Sequence, residues 1–148
     1  MPIPFRRLLL AFIAPLMSAT ALAQVPVVEL SAGMHRIEAE LALDERGRMT
    51  GLMHRKQLAP QRGMLFAYPR ESVHCMWMKN TFVPLSVAFL DREGRILNIA
   101  QMTPHSEQSH CSVAPAAYSL EMNQGWFAHR GLKPGAVVRG VAAVRAIN

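Results

Sequence analysis

Apolar and polar residues alternate at the start of IEAELAL, Ile37–Leu43, the pattern of a strand with one face buried. The β-rich VPVVEL just before it predicts a neighbouring strand. In DERGRMTGLMHRKQLAP, Asp44 is placed to cap a short helix, with Gly47 and Gly51 weakening it and Pro60 closing the segment. MLFAY, after Gly63, predicts a short buried strand ended by Pro69. In VAFLDREGRILNIAQM two apolar runs flank Asp91 to Gly94, where Asp opens a turn and Gly supplies a positive φ, so a β-hairpin is expected. TPHSEQSHCSVAP has two prolines and no period and predicts a long loop. AYSLEM then predicts a strand, Asn123 caps a short helix through GWFAHR that Gly131 stops, and AVVRGVAAVRAI predicts a last strand. Short strands, frequent turns and one or two short helices define a mainly β fold, a small single-domain barrel or sandwich.

One stretch resists a simple assignment. HCMWMKNTFVPL, His74–Leu85, holds a thiol, two thioethers, an indole and an ammonium within six residues. As a strand it puts His74, Met76, Met78 and Asn80 on one face and Cys75, Trp77 and Lys79 on the other. The methionines then serve the core, and Trp77 and Lys79 border a pocket. Pro84 is tolerated only at an edge, a bulge or a strand start, which places this strand beside an opening.

The N-terminus changes the picture of where the protein works. Arg6 and Arg7, an apolar run from Leu8 to Met17 and Ala21-Leu22-Ala23 have the layout of a signal peptide over residues 1–23, cut between Ala23 and Gln24. That run is too short to span a bilayer, which takes about 20 residues. The chain then expected, 24–148, is a single domain, periplasmic or secreted, with no stable membrane insertion. Without the leader 14 basic residues face 10 acidic ones, spread rather than clustered, which argues against a nucleic-acid partner. Cys75 and Cys111 are the two cysteines, and in an oxidising compartment a disulfide between them is expected.

GLMHR (51–55), GMLFAY (63–68), WMKNTFVPL (77–85), LEMNQG (120–125) and GLKPG (131–135) follow one another in an order and spacing that resemble the domain-of-unknown-function family numbered 192. The resemblance implies a small, mostly β, often exported domain and supplies no activity. Where that family commonly has Asp, this chain has Ser86.

The candidate chemistry is therefore argued from residues. Trp77, Lys79, Asn80 and Glu121, with Arg55, are the candidate ligand-binding set: few polar groups beside an aromatic wall are typical of small-molecule sites. Glu121 interrupts an apolar strand and needs a partner, with Lys79 and Arg55 as the options. Three function classes follow. The first is a binding module for a small molecule or an envelope-polymer fragment. The second is an enzyme using Lys79 and Glu121 as acid–base groups. The third is a copper(I) protein using Cys75, Met76 and Met78. The sequence points away from an enzyme, because hydrolase, phosphate-loop and dinucleotide motifs are missing. His105, Glu107 and His110 lack the spacing of a zinc site, so no metal and no cofactor is assigned.

Overall fold

The computed structural model describes Met1 and residues 25–147. The expected leader and its cleavage position lie outside the described residues.

Strands β1 (Val27–Ala32) and β2 (His35–Ala42) form an antiparallel hairpin. Helix α1 (Glu45–Thr50) follows, started by Asp44, whose carboxylate accepts the Gly47 N–H at 2.7 Å. Strand β3 (Arg62–Ser72) runs parallel to β2, and parallel neighbours require a crossover. Residues 43–61 are that crossover, and they carry α1.

Next come β4 (Cys75–Met76), β5 (Leu85–Leu90), β6 (Ile96–Met102), β7 (His110–Cys111), β8 (Ala116–Asn123) and β9 (Val138–Arg139). Seven strands, in the order β6-β5-β8-β3-β2-β1-β9, make one curled half-barrel sheet, while β4 and β7 pair as a separate ribbon. The mainly β expectation holds.

The sheet is covered on both sides, which is why β5 is buried at all six positions and reads as a continuous apolar run. Leu30, Ile37, Leu65, Leu90, Leu120 and Phe127 form one core. Phe66, Met78, Leu85, Val87, Phe89 and Met102 form the other. Gly63 is required where β3 meets β8, since a Cβ there would collide with the Glu121 carbonyl and Met122 Sδ. The β5–β6 hairpin is as expected. The Asp91 carboxylate accepts the N–H groups of Glu93 and Arg95 at 3.0 and 2.8 Å, and Gly94 has φ 85°.

The loop expected over Thr103–Pro115 contains the two-residue β7, and four further elements differ from the sequence reading. Strand β3 does not stop at Pro69 but runs to Ser72. Its register with β8 shifts between Ala67 and Ser72, the kind of irregularity where a residue without an N–H is tolerated. HCMWMKNTFVPL is not a continuous strand. Pairing ends at Met76, and the chain turns at Asn80 (φ 53°), with the Thr81 N–H donating to Met78 O at 3.1 Å. Asn123 does not cap a helix. Its amide donates to the carbonyls of Leu58 and Ala59 at 3.0 and 3.2 Å, and the segment after it holds a single 3-10 turn, Ala128–Arg130, closed by left-handed Gly131. The last strand shrinks to β9, because Gly140 (φ 98°) breaks it before a 3-10 turn at Val141–Ala143.

Candidate functional site

The parallel crossover lays α1 and the Gly51 loop over one face of the sheet, and residues 74–81 around the disulfide ribbon stand opposite them over that same face. Between them lies a cavity of about 770 Å³. Phe66 and Tyr68 from β3 and Glu121 from β8 make its floor. Residues from Glu45 to Met53 make one wall, and residues from His74 to Thr81 the other. The two walls are joined where the His54 N–H donates to Asn80 O at 2.9 Å.

The second wall is fixed from behind. Cys75 and Cys111 sit directly opposite each other in the ribbon and form the expected disulfide. The Met78 N–H donates to Ser106 O at 2.9 Å and the His105 N–H to Thr81 O at 3.1 Å. Met78 is fully buried, so its side chain is an anchor for this wall rather than part of its surface.

Glu121 is the unusual member. It is 3% exposed, and its strand partners on the same face are Met64 and Val87, both apolar. Among the described residues no hydrogen bond or ion pair reaches its carboxyl. Burial alone pushes its pKa up to about 8, so the neutral acid prevails at pH 7. Two residues earlier, Ser119 Oγ is 2.9 Å from Tyr68 Oη. Burial pushes that phenol up to about 12, the Ser119 contact working against it. His74 stacks on Tyr68 with centroids 3.5 Å apart and planes 9° apart, and its burial lowers its pKa.

The expected set is divided by the structure. Trp77, Lys79, Asn80 and Glu121 all line the cavity. Lys79 does not pair with Glu121: its Nζ is 3.7 Å from Glu107 Oε1 and 5.2 Å from the Trp77 ring centroid. Arg55 is not among the lining residues and takes Glu40 instead, through two bonds of 2.9 and 2.6 Å. That pairing holds the Glu40 carboxyl below the usual carboxylate range. Met76 lines the cavity with its sulfur 3.5 Å from Tyr68 Oη. Among the described residues no three His, Cys, Asp or Glu side chains converge on one point.

The sequence reading missed Arg48, Phe66, Tyr68 and His74. Tyr68 carried a signal, since a tyrosine inside a buried strand needs a partner for its hydroxyl. Arg48 and His74 reach the cavity from the crossover and the ribbon, which a linear pattern does not show, and Phe66 lies two residues before Tyr68 on β3. Ser86 is fully buried and paired with Met122 across the sheet. Its hydroxyl donates to Gln101 Oε1 at 2.7 Å and accepts the Gly125 N–H at 2.8 Å. It holds the turn after β8 and does not line the cavity.

A curled β half-barrel with a half-open cavity above its central strands is thus the class of protein that fold and site define. The chain belongs to the family described as uncharacterized ACR, DUF192, whose model matches residues 27–140. Solved structures similar to it include two that align over more than three quarters of both chains. One is from Sinorhizobium meliloti 1021, whose description as a transcription regulator is provisional; it is 39% identical with a TM-score of 0.72, covering 77% of this chain and 92% of that one. The other is a protein of unknown function from Novosphingobium aromaticivorans DSM 12444, 30% identical with a TM-score of 0.76, covering 82% and 91%. No protein with a curated description matches the chain.

Proposed function

We propose that this protein is an exported binding module whose small-molecule ligand occupies the cavity between α1 and β4. The observation that carries the reading is Glu121: a buried carboxyl, without a partner among the described residues, at the floor of a cavity whose volume lies within the ~300–1,000 Å³ usual for ligand sites. Buried polar groups are almost always satisfied, so a carboxyl that reaches the cavity without a partner in the chain is met by water or by a ligand's donor. Trp77, 45% exposed, offers an aromatic platform at the rim. Segments of four motifs, GLMHR, GMLFAY, WMKNTFVPL and LEMNQG, contribute to the lining.

Export rests on the leader-like start and agrees with the disulfide, which an oxidising compartment sustains. Among the described residues no helix is long and apolar enough to cross a membrane. A regulator reading, after the Sinorhizobium relative, draws little support from charge: 14 basic residues after residue 23 face 10 acidic ones and are spread along the chain, and Arg36, Arg55, Arg62, Lys79 and Arg92 each face a carboxylate. The copper(I) reading loses its thiolate, because the Cys75 sulfur is bonded to Cys111. An enzyme reading keeps one argument, a neutral carboxyl able to act as a general acid, but without Lys79 as its partner.

Native mass spectrometry of protein taken from its own cell envelope tests the proposal. A retained small-molecule mass, lost on Trp77→Ala, is expected. A bare protein mass from gently prepared samples, with no small molecule perturbing Trp77, removes the reading. Recovery of the molecule chemically altered favours the enzyme. N-terminal sequencing is expected to begin at Gln24, and a retained Met1 in envelope protein contradicts cleavage at that position.

A further inference from the structure

Resting on the binding reading above, we infer that the cavity takes a ligand with an apolar, ring-sized body and a single uncharged head that both donates and accepts a hydrogen bond, a hydroxyl or a carboxamide, which enters first and pairs with Glu121. The walls exclude the other classes. Met49, Leu52, Met53, Phe66, Met76 and Trp77 make most of the cavity lining apolar, with Tyr68, His74, Asn80 and Thr81 as its neutral polar members. A saccharide would bring several hydroxyls against thioethers and aromatic rings, and each one left unpaired carries a desolvation cost. An ammonium head would require an ionised Glu121 and a buried ion pair, whose desolvation offsets its attraction. Arg48 and Lys79 line the same cavity against the one ionised carboxylate, Glu45, among its lining residues, a balance that does not favour a cation. An anionic head would be drawn to Arg48 and Lys79 on the walls and away from the floor, where it meets a carboxyl rather than a base. What remains is a neutral donor–acceptor head, for which a protonated carboxyl is the matching partner.

The geometry also gives the orientation. Glu121 lies at the floor with 3% exposure, whereas Trp77 is 45% exposed, so the head is inside and the ring's outer edge rests near the indole.

The test uses one ring with four heads: 4-methylphenol, 4-methylbenzamide, 4-methylbenzylamine and toluene, each titrated into the oxidised, exported protein at pH 7. Binding is followed through the Trp77 indole N–H resonance and by calorimetry. The phenol and the amide are expected to bind about tenfold more tightly than toluene or the amine, the worth of one satisfied buried polar group. Glu121→Gln keeps a neutral donor and acceptor and is expected to stay within about threefold of the parent on the same scale. Glu121→Leu is expected to abolish the preference for phenol over toluene; it removes an unpaired buried acid, so the fold survives it. The amine binding most tightly and failing with Glu121→Gln overturns the uncharged-head class while leaving the cavity a binding site. Equal binding of toluene and phenol removes Glu121 from recognition. No response of the Trp77 resonance to any of the four defeats this inference, whereas the binding reading is decided separately by the mass retained on protein from its own envelope.

Discussion

Glu121 and Glu40 are two buried glutamates with opposite consequences, because one lacks a partner and the other has one. The Glu121 carboxyl titrates near 8 in the fold against 4.5 as its ordinary value. The folded state therefore holds a proton that the unfolded chain has released. Its contribution is fully present below about pH 4.5 and is lost as pH rises toward 8. Glu121→Gln should thus raise stability at pH 8, on the order of a few kcal/mol, and change little at pH 4, read as urea midpoints at the two values. A variant weakened at pH 8 would mean that the carboxyl is satisfied in solution. Glu40, held low by Arg55, works in the reverse sense: Glu40→Gln should destabilise at pH 7, with the loss fading below the carboxylate range. Met78, fully buried, should cost about 2–5 kcal/mol as Met78→Ala. Part of this was legible. Trp77, Lys79, Asn80 and Glu121 stood out because each is polar or aromatic within an apolar run. The partners of Lys79 and Arg55 did not, since Glu107 lies in a loop and Glu40 occupies an ordinary polar position of an alternating strand.

At the scale of elements, local chemistry foretold what local chemistry controls. Alternation marked β2, Asp91 and Gly94 marked the β5–β6 hairpin, and Asp44 marked the start of α1. What failed depended on pairing with distant chain. Strand β3 passes Pro69 because β8 accommodates a register shift, and the period-two pattern of residues 74–80 breaks because β4 pairs with two-residue β7 rather than with the main sheet. The cavity wall is therefore held by a ribbon whose closure is covalent. The cysteines are 36 residues apart, so removing the bond should lower stability by roughly 4 kcal/mol on the chain-entropy account. Comparing the denaturant midpoint of a Cys75→Ser, Cys111→Ser variant with that of the oxidised parent measures this. An unchanged midpoint would show that the ribbon is held by its backbone bonds alone.

For the molecule as a whole, the separation of ribbon from sheet makes reduction a test of how stability is distributed. The seven-stranded sheet carries both apolar cores, and neither cysteine belongs to it. Domains of this size are commonly stable by 5–15 kcal/mol, so losing the crosslink should leave the sheet folded while the ribbon opens. Hydrogen exchange on oxidised and reduced protein separates the two. Amides within β3, β5 and β8 should keep their protection. The amides of Met78, His105 and Ser112, bonded to Ser106, Thr81 and His74 across the ribbon region, should lose theirs. Because these bonds position the wall that carries Trp77 and Lys79, reduced protein should also lose affinity for cavity ligands while its far-UV circular dichroism persists. The same chain retained in a reducing cytoplasm should then resemble the reduced form, and exported protein should show no free thiol in denaturant. Loss of protection throughout the sheet on reduction would instead make the disulfide a condition for folding.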